Sequence, residues 1–383
     1  MRRALSLAVV VVAATATGCG GGTPTTPATV ATVAPPKVDR PNATAFGFMG
    51  LVSEDVFAAG PADREDILAG QKRTGVELLR QTFDWSQIEK RRGVYDFSRY
   101  DAYLEATSRH GIDVLPVLFG VPAFARSTPA EGAHLTDTTT LPPRSPAAFA
   151  AFARRVVERY GPDGAFWKAH PDIPARPIRA WQVWNEPNIP VYWGGRVDAH
   201  EYVALLRATS KAIHAVDPEA DVVTAGITQS RLGIPLATYV RALYRAGAKD
   251  TFDTLALHPY STGYDGVESA VKLLRRVADD HGDDDAGLWV TEVGWASGGP
   301  ASAFTVSPKR QAELVLQVFT QLGQQADALH LRGVVYYDWR DAPPYPGGKD
   351  FWGLHTGLLK RNGDGKPALS TYYQAAGVIA RAR

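Results

Sequence analysis

The chain has 383 residues with 41 basic and 40 acidic side chains, a formal net charge of +1, and 45% of its residues are hydrophobic. Such a balance predicts neither a nucleic-acid binder nor a protein held on anionic membranes by charge. The single cysteine excludes an internal disulfide.

Met1-Arg2-Arg3 is a short basic start, followed by an apolar run over residues 4–14 and small residues to Gly18. The pattern predicts a bacterial-type export signal over residues 1–18, too short to stay as a membrane-spanning helix. Cys19 follows Ala16-Thr17-Gly18 directly, and its position resembles the lipidated cysteine of bacterial lipoproteins. Ala16 departs from that pattern, which usually has leucine or another larger aliphatic residue there. Ordinary cleavage beside an incidental cysteine is the alternative. Residues 20–44 are rich in Gly, Thr, Pro and Ala and cannot bury a core, so 19–44 is expected to be an extended tether behind a lipid anchor.

No second low-complexity stretch divides residues 45–383, which favours one domain. Strand-like segments occur at 45–49, 76–81, 113–118, 180–184, 222–225, 254–257, 288–291 and 334–337. Helical patterns follow them at 63–74, 98–110, 146–160, 199–216, 235–246, 266–281, 308–330 and 367–380. Ser145-Pro146 and Ser307-Pro308 each place an N-cap before a first-turn proline; Gly111 and Gly247 follow helix ends as C-terminal caps. Eight repeats of strand then helix predict an α/β fold, a (β/α)8 TIM barrel whose site lies in the loops after the strands. Two of these loops, 120–144 and 338–366, are long enough to wall a cleft.

Two strands run into a glutamate. Trp181, Val183 and Trp184 lead into Asn185-Glu186-Pro187-Asn188, and Leu288, Trp289 and Val290 lead into Thr291-Glu292-Val293-Gly294-Trp295. A carboxylate at the end of a buried strand is costly unless paired or at work. Two of them suggest acid/base or nucleophilic chemistry on a polar substrate. Asn-Glu-Pro and Thr-Glu-Val-Gly-Trp together resemble the marks of the retaining glycoside hydrolases of clan A, and the loop phrases are most similar to family 39, then family 5. The resemblance spans residue 45 to the C-terminus.

That resemblance implies a barrel with Glu186 as acid/base after strand four and Glu292 as nucleophile after strand seven, and no cofactor or metal. Retention requires the two carboxyl groups to lie about 5–5.5 Å apart. Glu292 must be ionised, and clan members carry an arginine and a tyrosine where this chain has Arg80 and Tyr260. The Asn185 amide is expected to bind the sugar 2-hydroxyl, and His258 to serve the site, with a core histidine as the alternative. Trp339 is expected to floor the sugar, or else to pack. Trp85, Tyr192, Trp193, Trp295, Tyr345 and Trp352 lie on the same face, where half are expected to line subsites and half to pack.

Two motifs are set aside. The acidic run at 279–285 falls on the opposite face as a solvated turn, and Asn362-Gly363-Asp364-Gly365 lacks the glutamate that a calcium loop requires. The expected protein is an exported, monomeric hydrolase that cleaves β-glycosidic bonds of a polysaccharide or oligosaccharide by double displacement. Carbohydrate is its only expected partner, and the lipid on Cys19 its only expected tie to a membrane. The long loops favour endo cleavage; an exo-acting β-xylosidase and an inactive carbohydrate-binding barrel are the alternatives.

Overall fold

The computed structural model describes residues 47–382 apart from 134, 136, 231, 346 and 347. The export signal, Cys19 and the tether expected over residues 1–44 lie outside the described residues. Nine strand segments follow in order: β1 Met49–Val52, β2 Leu78–Asp84, β3 Asp113–Phe119, β4 Ala180–Val183, β5 Asp221–Val223, β6 Ile227–Thr228, β7 Thr254–His258, β8 Gly287–Val293 and β9 Leu331–Tyr336. Every pairing is parallel, and β1 bonds both β2 and β9, so the sheet closes. β5 and β6 are successive pieces of one strand, each paired to β7. The result is an eight-stave (β/α)8 barrel.

Each predicted helix is present, beginning with Pro61–Thr74 and ending with Pro367–Ala382. The seventh is broken at Gln325 into Pro308–Gln324 and Ala326–Leu329. Ser145 and Ser307 accept hydrogen bonds from the amides of Ala148 and Arg310, as N-caps should. Gly111 and Gly247 turn the chain with φ of 64° and 82°.

The first strand lies later than the sequence suggests, at Met49–Val52 rather than 45–49. It occupies the stretch Met49-Gly50-Leu51-Val52, which carries no clear turn signal and reads as a possible extension of the strand. Gly50 sits mid-strand, where an added Cβ would come within 2.8 Å of Val335 Cγ2.

The barrel interior is filled by one residue from each stave: Val52, Leu78, Leu115, Ala180, Val223, Ala256, Trp289 and Val335. The intervening residues, such as Leu51, Leu79, Trp181, Leu257, Val290 and Val334, face outward and join the helices in the larger core. This alternation fixes which residues reach the barrel mouth.

Candidate active site

Two residues beyond the inner ring, the same side of each strand carries polar groups. Arg80 follows Leu78, Gln182 follows Ala180, His258 follows Ala256 and Thr291 follows Trp289, so all four point along the barrel axis. They bond one another across the barrel. Arg80 Nε donates to Gln182 Oε1 at 2.7 Å, and Gln182 Nε2 donates to Thr291 Oγ1 at 3.2 Å. Thr291 Oγ1 also lies 3.1 Å from His258 Nε2.

Glu292 would face outward if β8 kept strict alternation. It does not, because Val290 pairs with Val334 and Val293 with Tyr336, three steps on β8 against two on β9. The bulge turns Glu292 toward the mouth beside Thr291. There Arg80 Nη1 donates to Glu292 Oε1 at 2.6 Å and the Tyr260 hydroxyl donates to Oε2 at 2.9 Å.

Glu186 arrives by a different device. Trp184 and Glu186 both have positive φ, 76° and 42°, which L-residues other than glycine adopt reluctantly. Three bonds fix the turn: Trp184 N to Leu118 O at 3.0 Å, Trp184 Nε1 to Tyr192 O at 2.9 Å, and Glu186 N to Gly226 O at 3.2 Å. His258 Nδ1 then sits 2.8 Å from Glu186 Oε1. Gly226 makes room for that ring, since a Cβ there would fall 1.9 Å from His258 Nε2. Asn185 accepts from Arg80 Nη2 at 2.8 Å, and its Nδ2 has no protein acceptor among the described residues.

One oxygen of each glutamate and one His258 nitrogen lie within 4.8 Å of one another. The two carboxyls sit in opposed fields. Burial raises Glu186 above the ordinary carboxylate range, helped by the charge of Glu292 and only partly offset by the bond and charge of His258. Burial acts on Glu292 too, but the charges of His258 and Arg80, with the hydrogen bonds of Tyr260 and Arg80, outweigh it and hold Glu292 low. Burial and the Glu292 charge keep the Tyr260 hydroxyl protonated, so it remains a donor. The trio of Glu186, His258 and Glu292 has the donor types of a metal site. A cation there would have to displace Arg80, whose guanidinium already occupies Glu292.

The aromatic expectations divide sharply. Trp85, Trp193 and Trp295 are buried, their ring nitrogens bonded to Glu89, Glu201 and the Ser261 carbonyl, so they pack into the structure rather than stand as open platforms. Trp339 is only 4% exposed and packs outward near Gly70 of the helix Pro61–Thr74; it does not floor the site. Alternation explains this, since Val335 is the inner residue of β9 and Tyr337 the next. Tyr337 therefore holds the inward place. Tyr192, Tyr345 and Trp352 keep accessible surface, with Phe119 beside Tyr192 and Phe304 beside Trp352. Gln182, Thr291, Gly226, Tyr337 and Glu54 were not singled out from sequence. A polar residue inside the apolar run Trp181-Gln182-Val183 was the available signal for Gln182.

No protein-family model matches the chain, and no curated protein is similar to it in sequence. Solved structures do share its fold. A family 39 glycoside hydrolase from Bacteroides cellulosilyticus WH2 superposes with a TM-score of 0.63 at 18% identity, covering 87% of this chain and 64% of that one. A family 39 enzyme from Xanthomonas axonopodis pv. citri gives 0.62 at 19% identity, with 86% and 65% covered. A family 39 β-xylosidase from Caulobacter crescentus gives 0.60 at 17%, with 87% and 71% covered. The chain thus spans just under two thirds of the length of the first two. At such identities the likeness is one of fold.

Proposed function

We propose that the chain is a retaining glycoside hydrolase acting on β-glycosidic bonds, with Glu292 as nucleophile and Glu186 as acid/base. One observation carries the reading: an oxygen of each strand-end glutamate and a nitrogen of His258 lie within 4.8 Å of one another, with the Glu186 carboxyl raised by burial and that of Glu292 held low by His258 and Arg80. That spacing agrees with the roughly 5–5.5 Å of retaining enzymes and falls short of the roughly 6.5–9.5 Å of inverting ones.

The chemistry follows from the arrangement. A Glu292 oxygen attacks the anomeric carbon while the leaving oxygen takes the Glu186 proton, and a glycosyl ester forms. Once esterified, Glu292 no longer carries the charge that raises Glu186, so Glu186 can act as base. It removes a proton from water, whose oxygen displaces Glu292 and restores both groups. Asn185 Nδ2 is available to the sugar 2-hydroxyl, and no cofactor enters any step. A binding-only barrel would have no use for two glutamates shifted in opposite directions.

The long loops 120–144 and 338–366 favour endo cleavage of a polysaccharide. Exo action like that of a β-xylosidase is the second reading, favoured by the structural likeness to the Caulobacter crescentus enzyme of that name. Product analysis on linear oligosaccharides separates them: internal fragments support endo, single terminal sugars support exo. Turnover of an aryl β-glycoside, with proton NMR of the first-formed anomer, tests the whole proposal. A product of α configuration, or no turnover on any glycoside, sinks it. Export through residues 1–18 and lipid attachment at Cys19 belong to the same proposal.

A further inference from the structure

One carboxylate at the barrel mouth has no part in that mechanism. Val52 is the β1 member of the inner ring and stands level with Arg80 on β2. Ser53 turns outward, its Oγ accepting from Gln71 Nε2 at 2.8 Å on the helix Pro61–Thr74. With Ser53 at φ −148° and ψ 86°, Glu54, the first residue of the short helix Glu54–Ala58, turns back toward the barrel mouth, near Arg80 on one flanking strand and Tyr337 beyond the other. Arg80, Glu292 and Asp55 are the charges it senses, and the Gln81 side chain hydrogen-bonds it.

Glu54 is also unspent. It keeps access to solvent and is in no ion pair among the described residues, whereas the adjacent Asp55 is paired with Arg340 at 2.7 Å. Arg80 directs one bond from each of its three nitrogens to Gln182, Glu292 and Asn185 rather than to Glu54. Although open at its surface, Glu54 stands within the concave mouth, and that burial raises its carboxyl, with Glu292 adding and Arg80 opposing. A carboxylate with unused acceptor positions thus faces the space where a sugar seated on Glu292 must lie.

We propose, resting on the hydrolase reading, that Glu54 selects the glycon: its carboxylate accepts hydrogen bonds from ring hydroxyls and turns away uronic acids. Hydroxyl-to-carboxylate bonds are among the stronger kind, and a second anion close to Glu54 and Glu292 is repelled more strongly in a cleft than in water. The chain therefore acts on neutral sugars.

The test compares the wild type, Glu54→Gln and Glu54→Ala on 4-nitrophenyl β-glycosides of neutral sugars and on the β-glucuronide. For wild type, kcat/KM on the best neutral glycoside should exceed that on the glucuronide by about 100-fold. Glu54→Gln should raise KM for the neutral glycoside about tenfold, with a smaller change in kcat, as expected for one lost charged hydrogen bond. The same variant should lower KM for the glucuronide. Those reciprocal changes distinguish selection from a loss of packing, and the near-isosteric Gln protects the test if the Ala variant fails to fold. Wild type that prefers the glucuronide, or a Glu54→Gln that leaves both KM values unchanged, overturns the proposal and leaves the hydrolase reading intact. Folded wild type without turnover on any glycoside overturns the hydrolase reading itself, and the inference with it.

Discussion

Arg80→Gln isolates the force that keeps Glu292 ionised. The guanidinium lies 2.6 Å from Glu292 Oε1, with side-chain exposures of 6% and 14%, so solvent screens the pair little. A hydrogen bond to a charged group contributes about 1.5–3 kcal/mol, and one pH unit corresponds to about 1.4 kcal/mol. The sign is set by what remains: burial raises Glu292, and losing a cation that lowers it lets burial gain. The nucleophile is then ionised only at higher pH, so the acid limb of kcat/KM should move up by about 1–2 pH units. The assay is kcat/KM from pH 4 to 9 on a 2,4-dinitrophenyl glycoside, whose leaving group needs no proton from Glu186. Arg80→Lys keeps the charge but loses the fork that also reaches Gln182 and Asn185, so its limb should move less while its plateau falls. An acid limb that stays in place in Arg80→Gln, or moves down, would refute the electrostatic account.

Four further outcomes are expected. Glu186→Ala with azide and an activated β-glycoside should yield the β-glycosyl azide, and Glu292→Ala the α product; exchanged products would reverse the two roles. Gly226→Ala forces His258 away from Glu186, and since that histidine lowers Glu186, the alkaline limb of activity should move up; an unchanged limb would mean His258 does not govern Glu186. Trp339→Phe should cost about 1–3 kcal/mol of stability in denaturant melts with KM unchanged, and a several-fold rise in KM would return Trp339 to the sugar's floor. Cys19→Ala should release the protein from the membrane fraction, and wild type that is already freely soluble would refute the lipoprotein reading.

The fold was legible because its period is coarse. Eight alternations of strand and helix survive errors of a few residues at any boundary, as at β1, which lies at Met49–Val52 rather than 45–49. The two glutamates were legible because each ends an apolar run. What escaped was direction. The β8 bulge that turns Glu292 inward exists only as a mismatch with β9, and a single strand's sequence carries no register. Trp339 was misplaced, and Tyr337 overlooked, for the same reason: two residues apart, they would share a face in an ideal strand, but β9 ends at Tyr336. Trp85, Trp193 and Trp295 looked like sugar platforms because a tryptophan in a loop reads identically whether its ring nitrogen meets solvent or a buried acceptor.

The left-handed turn at Glu186 bears on how such a chain would decay. Residue 186 holds a conformation that glycine adopts at no steric cost, and it buries an acid there; folding alone gains when glutamate is lost. Residue 292 is the reverse, because removing it strands the buried guanidinium of Arg80. Once selection for turnover lapsed in a lineage of this chain, mutation would erase 186 early and leave 292 standing. On the hydrolase reading, a sister sequence carrying the second glutamate without the first would therefore be a retired enzyme.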